Sequence, residues 1–306
     1  MDSLGTGAGY QSRAYAESFA EFGALLELPA AGGALLKRPI GSSGLHDATG
    51  CYPLFCCGDW GRLPHDLDAL RGELVSVVVV TDPFAATTEA QLARSFERVR
   101  TYKDHFIVET GAAPETFVSR SHREQARRAL RKVKVELVAE PSAWIDEWER
   151  LFGVLAQRHA ITGMRRFSRS AFEKQLAVPG MTMFRAVAQG RTVGLDLWYI
   201  QGDVAQGHLA AFDATGYELR ASYATKWEMI HYFADKVRYI NLGAGQSADT
   251  SDGLSQFKRG FSNGMRRSWL CGRTFDPSAY QRLAMQMNPG DRNPGYFPAY
   301  RGAELS

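Results

Sequence analysis

The stretch from Met181 to Phe212 does most to limit what this chain can fold into. Met183–Ala188, Val193–Ile200 and Val204–Phe212 are apolar runs separated by two turn dipeptides, Gln189-Gly190 and Gln201-Gly202. Glycine in a two-residue link supplies the positive φ that a tight hairpin needs, so the runs predict an antiparallel meander of three strands. Tyr217–Lys236 follows, with Leu219, Tyr223, Trp227, Ile230 and Phe233 at helical spacing. A short strand, Val237–Leu242, then empties into Gly243-Ala244-Gly245. A meander, a long helix and one further strand define a mixed α+β lobe on a mostly antiparallel sheet.

The remaining segments supply flanking elements. Residues 11–26 read as an amphipathic helix through Ala14, Phe19, Phe22, Leu25 and Leu26. Residues 29–66 read as strands and loops, and Leu74–Val80 as a buried strand stopped by Thr81-Asp82-Pro83. Thr88–Tyr102 predicts a helix from Leu92, Phe96 and Val99, with Phe106–Glu109 a strand beyond it. Ser121–Lys132 is a basic helix leading into a strand at Val133–Val138. A second helix starts at Pro141 and runs to His159, with a short one over 168–177. Leu254–Phe261 predicts a short helix, Met265–Leu270 a last strand, and the tail from Asn288 an extended segment.

Composition removes several classes. Of 306 residues, 45% are hydrophobic and 23% charged, which suits a globular chain with a real core and excludes disorder as its main state. At about 150 residues per domain, two domains are expected. A net charge of +3 does not mark a nucleic-acid binder, so any polyanion site must come from local clustering. No apolar run approaches the roughly 20 residues of a membrane span, and the first residues do not read as a secretory signal. Four cysteines do not make a disulfide framework, and a cytoplasmic location is expected.

Few motifs carry chemistry. Cys51, Cys56 and Cys57 with His46 and His65 lack the second ligand pair that closes a zinc tetrahedron, so buried thiols and no metal are expected. Gly5-Thr6-Gly7-Ala8-Gly9 has no strand before it to build a phosphate loop and reads as a flexible end. No Gly-x-Ser-x-Gly elbow occurs. By contrast, Arg120, Arg123, Arg127, Arg131 and Lys134 fall on one helical face, with Arg128 and Lys132 beside it and Glu124 the one acid in the window. That face is either solvated or matched by a polyanion such as tRNA. In Gly253-Leu254-Ser255-Gln256-Phe257-Lys258-Arg259-Gly260-Phe261, an aromatic adjoins a lysine after a glycine turn. The lysine suits an oxyanion and the ring suits stacking on a base; a core Phe beside a surface Lys is the plainer alternative.

Two stretches, Tyr217–Ile230 with Tyr239–Gly245, and Gly253–Phe261, together resemble the Fem-type aminoacyl-tRNA-dependent transferases. The resemblance is specific over about 180–262 and looser over the first part of the chain. It implies two lobes of the GNAT acetyltransferase fold, each a mixed, mostly antiparallel sheet flanked by helices. The lobes are expected at 1–134 and 135–274, with 275–306 packing back on the first. It further implies Lys258 as the catalytic cation, Phe257 as a holder of the tRNA acceptor end, and Tyr217, Arg220 and Tyr223 as contacts to the acceptor. The seven basic residues at 120–134 would bind tRNA. The reaction implied is transfer of an amino acid from aminoacyl-tRNA to the amine of a small peptide or amine acceptor, in cell-wall or peptide natural-product biosynthesis, including antibiotic biosynthesis. No cofactor is needed, and a monomer is expected.

The alternative is an acyl-CoA-dependent N-acyltransferase. Ordinary GNAT enzymes cradle the CoA pyrophosphate on a glycine-rich strand-to-helix junction. Here the junction is Asp213-Ala214-Thr215-Gly216-Tyr217-Glu218-Leu219-Arg220, with a single glycine.

Overall fold

The computed structural model describes residues 7–246, 250–289 and 295–305. In chain order its elements are α1 (Arg13–Glu17), β1 (Ala24–Leu28), β2 (Gly33–Pro39), β3 (His46–Gly50), α2 (Leu63–Ala69), β4 (Ser76–Val80) and α3 (Glu89–Ser95). Next come β5 (Arg98–Glu109), α4 (Pro114–Phe117), α5 (Arg120–Leu130), β6 (Lys134–Val138), α6 (Ile145–Arg158) and α7 (Arg169–Leu176). The meander is β7 (Met181–Ala188), β8 (Arg191–Gln201) and β9 (Val204–Phe212), followed by α8 (Ala214–Glu218) and α9 (Ala221–Phe233). The chain continues through β10 (Tyr239–Ala244), α10 (Gly253–Arg259), β11 (Gly264–Thr274) and α11 (Pro277–Met287).

These elements form two compact units, Met1–Tyr102 with Ser268–Ser306, and Lys103–Arg267. In the first unit, β1–β2 and β2–β3 are antiparallel, β3–β4 is parallel, and β4 pairs antiparallel with β11. In the second, β6–β7, β7–β8 and β8–β9 are antiparallel, β9–β10 is parallel, and β10 pairs antiparallel with β5. Each unit is thus a mixed, mostly antiparallel sheet with one helical crossover between parallel neighbours, the α+β class expected. The boundary drawn at residue 134 falls inside the second unit, where α5 already packs on α9 through His122 and Tyr223, ring centroids 5.2 Å apart.

The meander forms where its turns dictate. Gln189 and Gly190 both take positive φ, 50° and 75°, the geometry of the hairpin turn whose twist matches its strands. One face of the sheet is sealed by α9: Trp227, Ile230 and Phe233 pack with Phe106, Phe184, Trp198, Ala205, Ile240 and Phe261. The long helix expected over 217–236 is interrupted, because Arg220 adopts a left-handed φ of 55° between α8 and α9.

Two expected helices are shorter than their periodicity implied. Where a helix was expected over 11–26, a 3-10 turn at Gly9–Gln11 precedes the five-residue α1, and Leu25 and Leu26 belong to β1 and pair with Leu36 and Leu35. The helix begun at Thr88 has a capping box with Gln91 but ends at Ser95, and Phe96 is extended. The alternation from Arg98 onward belongs to β5, twelve residues rather than the four expected. Residues 277–287, given no element in the sequence, form α11, and the tail expected to be extended carries a 3-10 helix at Ala299–Leu305. Residues 290–294 of that tail, and residues 1–6 of the glycine-rich start, lie outside those described.

In the first unit the tail is fastened by charge. Arg301 donates to Asp47 at 2.7 and 2.9 Å, both side chains nearly inaccessible to solvent, and to the carbonyl of the exposed Pro39 at 2.8 Å. Beside it the Tyr300 hydroxyl lies 2.7 Å from Ser76 Oγ. Asp47 also lies 3.4 Å from Arg38 Nε, so one carboxylate serves two guanidiniums; removing it strands both, and Asp47→Leu is expected to cost about 3–5 kcal/mol, measured by urea unfolding.

Candidate active site

Asp252 caps α10, its side chain accepting from the Ser255 N–H at 3.0 Å and from the Ser255 hydroxyl at 2.6 Å. This fixes where the helix starts and, six residues on, where Lys258 emerges. The Lys258 ammonium donates to the Ala244 carbonyl at the end of β10, 2.7 Å away. Gly243 has a φ of +82°, and a Cβ there would stand 2.9 Å from Lys258 Nζ, so the turn needs glycine both for its conformation and for the lysine's space. From β5, Lys103 donates to the next two carbonyls, Gly245 at 3.3 Å and Gln246 at 2.7 Å.

Burial pushes the Lys258 pKa down to about 7, assisted by the nearby Lys226 and Lys103 ammoniums and opposed by Asp196 and Asp252. Burial and the Arg165 charge lower the Lys103 pKa as well. Lys226, on α9, is ion-paired to the buried Asp196 of β8 at 2.6 Å and lies 4.5 Å from the centroid of the Trp198 ring. A compact group of three lysines and two carboxylates therefore meets at this end of the sheet.

Phe257 is engaged in packing. Its ring lies 4.9 Å from Tyr223, 5.3 Å from Phe261 and 6.0 Å from His122. His122 holds this cluster to α5: its Nε2 is 3.1 Å from the Phe257 carbonyl and its Nδ1 is 2.8 Å from Ser119 Oγ. The Ser119 N–H donates to the Gly260 carbonyl at 2.9 Å. The imidazole fills the space a side chain at position 260 would need, within 2.2 Å of an ideal Cβ. Burial lowers the His122 pKa, and the hydrogen bond with the Phe257 carbonyl opposes it.

The residues expected from sequence divide accordingly. Lys258, Phe257 and Tyr223 come together. Tyr217 packs elsewhere, against Phe212 and 4.1 Å below the Arg158 guanidinium, and Arg220 is exposed. On α5 and beyond, Arg120 pairs with Glu124, Arg123 donates to the Glu115 carbonyl, and Lys134 pairs with Glu136. Arg127, Arg128, Arg131 and Lys132 are exposed and make no ion pair among the described residues. Sequence reasoning missed Asp196, Lys226, Lys103, His105 and Asn241. The signal for Asp196 was present, a lone acid in the apolar run Val193–Ile200, as was that for Lys226, a cation between Tyr223 and Trp227 on a helix buried on most sides.

Among the described residues, no group of three His, Cys, Asp or Glu is placed to hold a metal ion. All four cysteines are free and buried. No helix among those residues is long and apolar enough to cross a membrane.

Residues 118–259 match the acetyltransferase (GNAT) domain family. Solved structures share the fold over nearly the whole chain. The C-terminal domain of a candidate lysylphosphatidylglycerol synthetase from Agrobacterium fabrum superposes with a TM-score of 0.65 at 13% identity, covering 93% of this chain and 92% of that one. FemX gives 0.65 at 10%, covering 89% and 93%. L-PGS from Bacillus licheniformis gives 0.59 at 13%, covering 90% and 95%. Likeness at such identity carries the fold alone. No sequence among the curated proteins matches this one.

Gly260→Ala is expected to drive the His122 ring from its place and to cost about 1–3 kcal/mol of stability, read as a lowered midpoint in thermal or urea unfolding.

Proposed function

We propose that this protein is an aminoacyltransferase that moves an amino acid from aminoacyl-tRNA to the amine of a small peptide or peptide-like acceptor, forming an amide. The observation that carries this reading is Lys258, a half-buried ammonium tied to one backbone carbonyl at the end of β10. An aminoacyl ester is already activated, so its aminolysis needs an oriented amine and a stabiliser for the tetrahedral oxyanion more than it needs a covalent intermediate. Lys258 supplies the cation by exchanging the Ala244 carbonyl for the developing oxyanion.

The donor is argued from charge. At the β9-to-α8 junction, where ordinary GNAT enzymes receive the CoA pyrophosphate, Asp213 caps the helix and accepts from the Gly216 N–H at 2.9 Å. A carboxylate already fills the position a phosphate would seek, and like charges repel there. Meanwhile Arg127 and Arg128 on α5, with Arg131 and Lys132 just past its end, present an exposed cationic surface, and the Ser119 and His122 contacts bind that helix to the one carrying Lys258. A long polyanion such as tRNA matches this face better than a single pyrophosphate. The N-terminal segment around Tyr15–Ala20 lacks the Leu-Gln-Ser type of segment of peptidoglycan-acting Fem enzymes, and this favours a peptide natural-product intermediate as acceptor over a cell-wall precursor.

The reading is tested by offering purified protein labelled aminoacyl-tRNAs and, separately, labelled acetyl-CoA, with a panel of amines and peptides. Label is expected in an amide product from tRNA, and Lys258→Ala is expected to lower kcat by about 10²–10³-fold. Transfer from CoA alone would overturn the donor.

Lys258 acts charged, so the active fraction falls as pH rises through about 7. The rate is therefore expected to decline on the alkaline side, and Lys258→Arg, which stays protonated, is expected to remove that decline. Arg127→Ala and Arg128→Ala are each expected to weaken tRNA binding and to reduce its salt-dependence slope by about 1, measured by filter binding across a salt series.

A further inference from the structure

A buried histidine beside Lys258 has one ring nitrogen committed and the other open. His105, on β5, is 7% exposed. Its Nδ1 lies 3.2 Å from Asn241 Oδ1 on β10. That amide cannot be turned around, because the same Oδ1 accepts from the Gly243 backbone N–H at 2.9 Å, and a backbone N–H only donates. The Asn241 Nδ2 is also committed, donating to Gln206 Oε1 of β9 at 2.7 Å. Facing an oxygen that is purely an acceptor, His105 Nδ1 must carry the proton, which leaves Nε2 with a lone pair. Among the described residues nothing hydrogen-bonds to that Nε2. Gly243, whose N–H sets this tautomer, is also the residue against which Lys258 Nζ rests.

We propose that His105 Nε2 is the proton acceptor and donor for the aminoacyl transfer, with Asn241 and Gln206 as the positioning residues that hold its tautomer. This rests on the aminoacyltransferase reading above and adds to it a second group at the reacting atoms.

The step balances as follows. The acceptor amine forms a C–N bond to the ester carbonyl carbon, and the carbonyl π pair moves onto oxygen beside the Lys258 ammonium. One proton passes from the new N⁺–H to His105 Nε2. The oxyanion pair then re-forms C=O, the bond from carbon to the ribose oxygen breaks, and the proton on Nε2 passes to that oxygen. The products are an amide and a free ribose hydroxyl, with His105 and Lys258 returned to their starting states.

The surrounding charges time the exchange. Burial depresses the imidazolium most and brings the His105 pKa to about 4; the hydrogen bond with Asn241 opposes it, the Lys258 and Lys103 ammoniums add to it, and Asp104 offsets part. In the resting site the ring is therefore neutral and able to accept. When an oxyanion forms against Lys258 it cancels the nearest repelling charge, so His105 gains basicity as the proton becomes available. Collapse restores the repulsion and expels the proton toward the leaving oxygen.

The test uses the full-length protein with aminoacyl-tRNA and the acceptor found in the first screen. His105→Gln keeps polar atoms but cannot carry a proton, and its kcat is expected to fall about 10²-fold or more with KM for both substrates within about threefold. Asn241→Asp keeps an acceptor for both N–H groups and adds negative charge, so it is expected to raise the proton affinity of His105 roughly tenfold or more, moving the acidic limb of the rate profile upward. Independently of turnover, ¹⁵N-histidine NMR is expected to report the Nδ1–H tautomer for His105 at pH 7. A purely structural histidine would give a His105→Gln variant with a lowered melting temperature but kcat within threefold of wild type, and that result overturns the proposal. An Nε2–H tautomer in the wild type overturns it too. If the wild type transfers only from acetyl-CoA, the tRNA reading fails, while a kcat defect of His105→Gln in that reaction still supports the proton shuttle.

Discussion

Three residue pairs join β10 to β9, ending with Asn241 opposite Gln206, and there the ladder stops. On the other side of β10 the register with β5 jumps between Asn241 and Ala244. Leu242 and Gly243 are thereby released from regular pairing on both sides, and Ala244 keeps a partner only in His105 of β5. Backbone groups freed in this way must find other partners or lose about 1–3 kcal/mol each when buried. Here lysine ammoniums and a side-chain amide supply them, which is why the end of this strand gathers Lys258, Lys103 and Asn241. The chemistry of the site grows from an interrupted sheet, not from a loop laid over it.

Such a collection of cations is stable only because acids lie beneath it. Asp196 is almost wholly buried and would be costly alone; Lys226 neutralises it and in turn packs over Trp198. This pair also sets the field in which Lys258 titrates, since Lys226 depresses it and Asp196 supports it. A lysine in water holds its proton far above neutrality, whereas one in this surrounding changes charge within the physiological range. On the α5 side, the His122 ring and the absent side chain at Gly260 keep α10 in one position, so the ammonium is held in place as well as tuned.

Much of this fold was legible, and the reasons for the exceptions are physical. The meander and the crossover helix were marked by turn dipeptides and by period. The 88–102 segment misled because Leu92, Phe96 and Val99 satisfy a helical spacing while Val99-Arg100-Thr101-Tyr102 also alternates, and strand pairing decided between them. Leu25 and Leu26 were likewise claimed by cross-strand partners, Leu36 and Leu35 of the next strand. Lys258 was singled out by its motif, and its role stays a proposal; Phe257 and Tyr223, expected to contact ligands, pack on one another and on His122. His105 and Asn241 had no local signature at all: 136 residues separate them, and only the adjacency of β5 and β10 makes them a unit.

The Asp213 cap has a bearing on redesign. A fold of this kind is an obvious starting point for an enzyme that takes acyl-CoA, and the intuitive change is to introduce glycines at the β9-to-α8 junction. Those glycines alone would leave a carboxylate occupying the backbone N–H group, braced by Arg150 at 3.6 Å. Replacing Asp213 by itself would unfasten the helix start. Gly216 adds a steric limit, since a Cβ there would come within 2.3 Å of the Val193 carbonyl. Remodelling this junction to receive a pyrophosphate is therefore not a matter of one loop sequence: the acid, its arginine and the neighbouring strand backbone would have to change together.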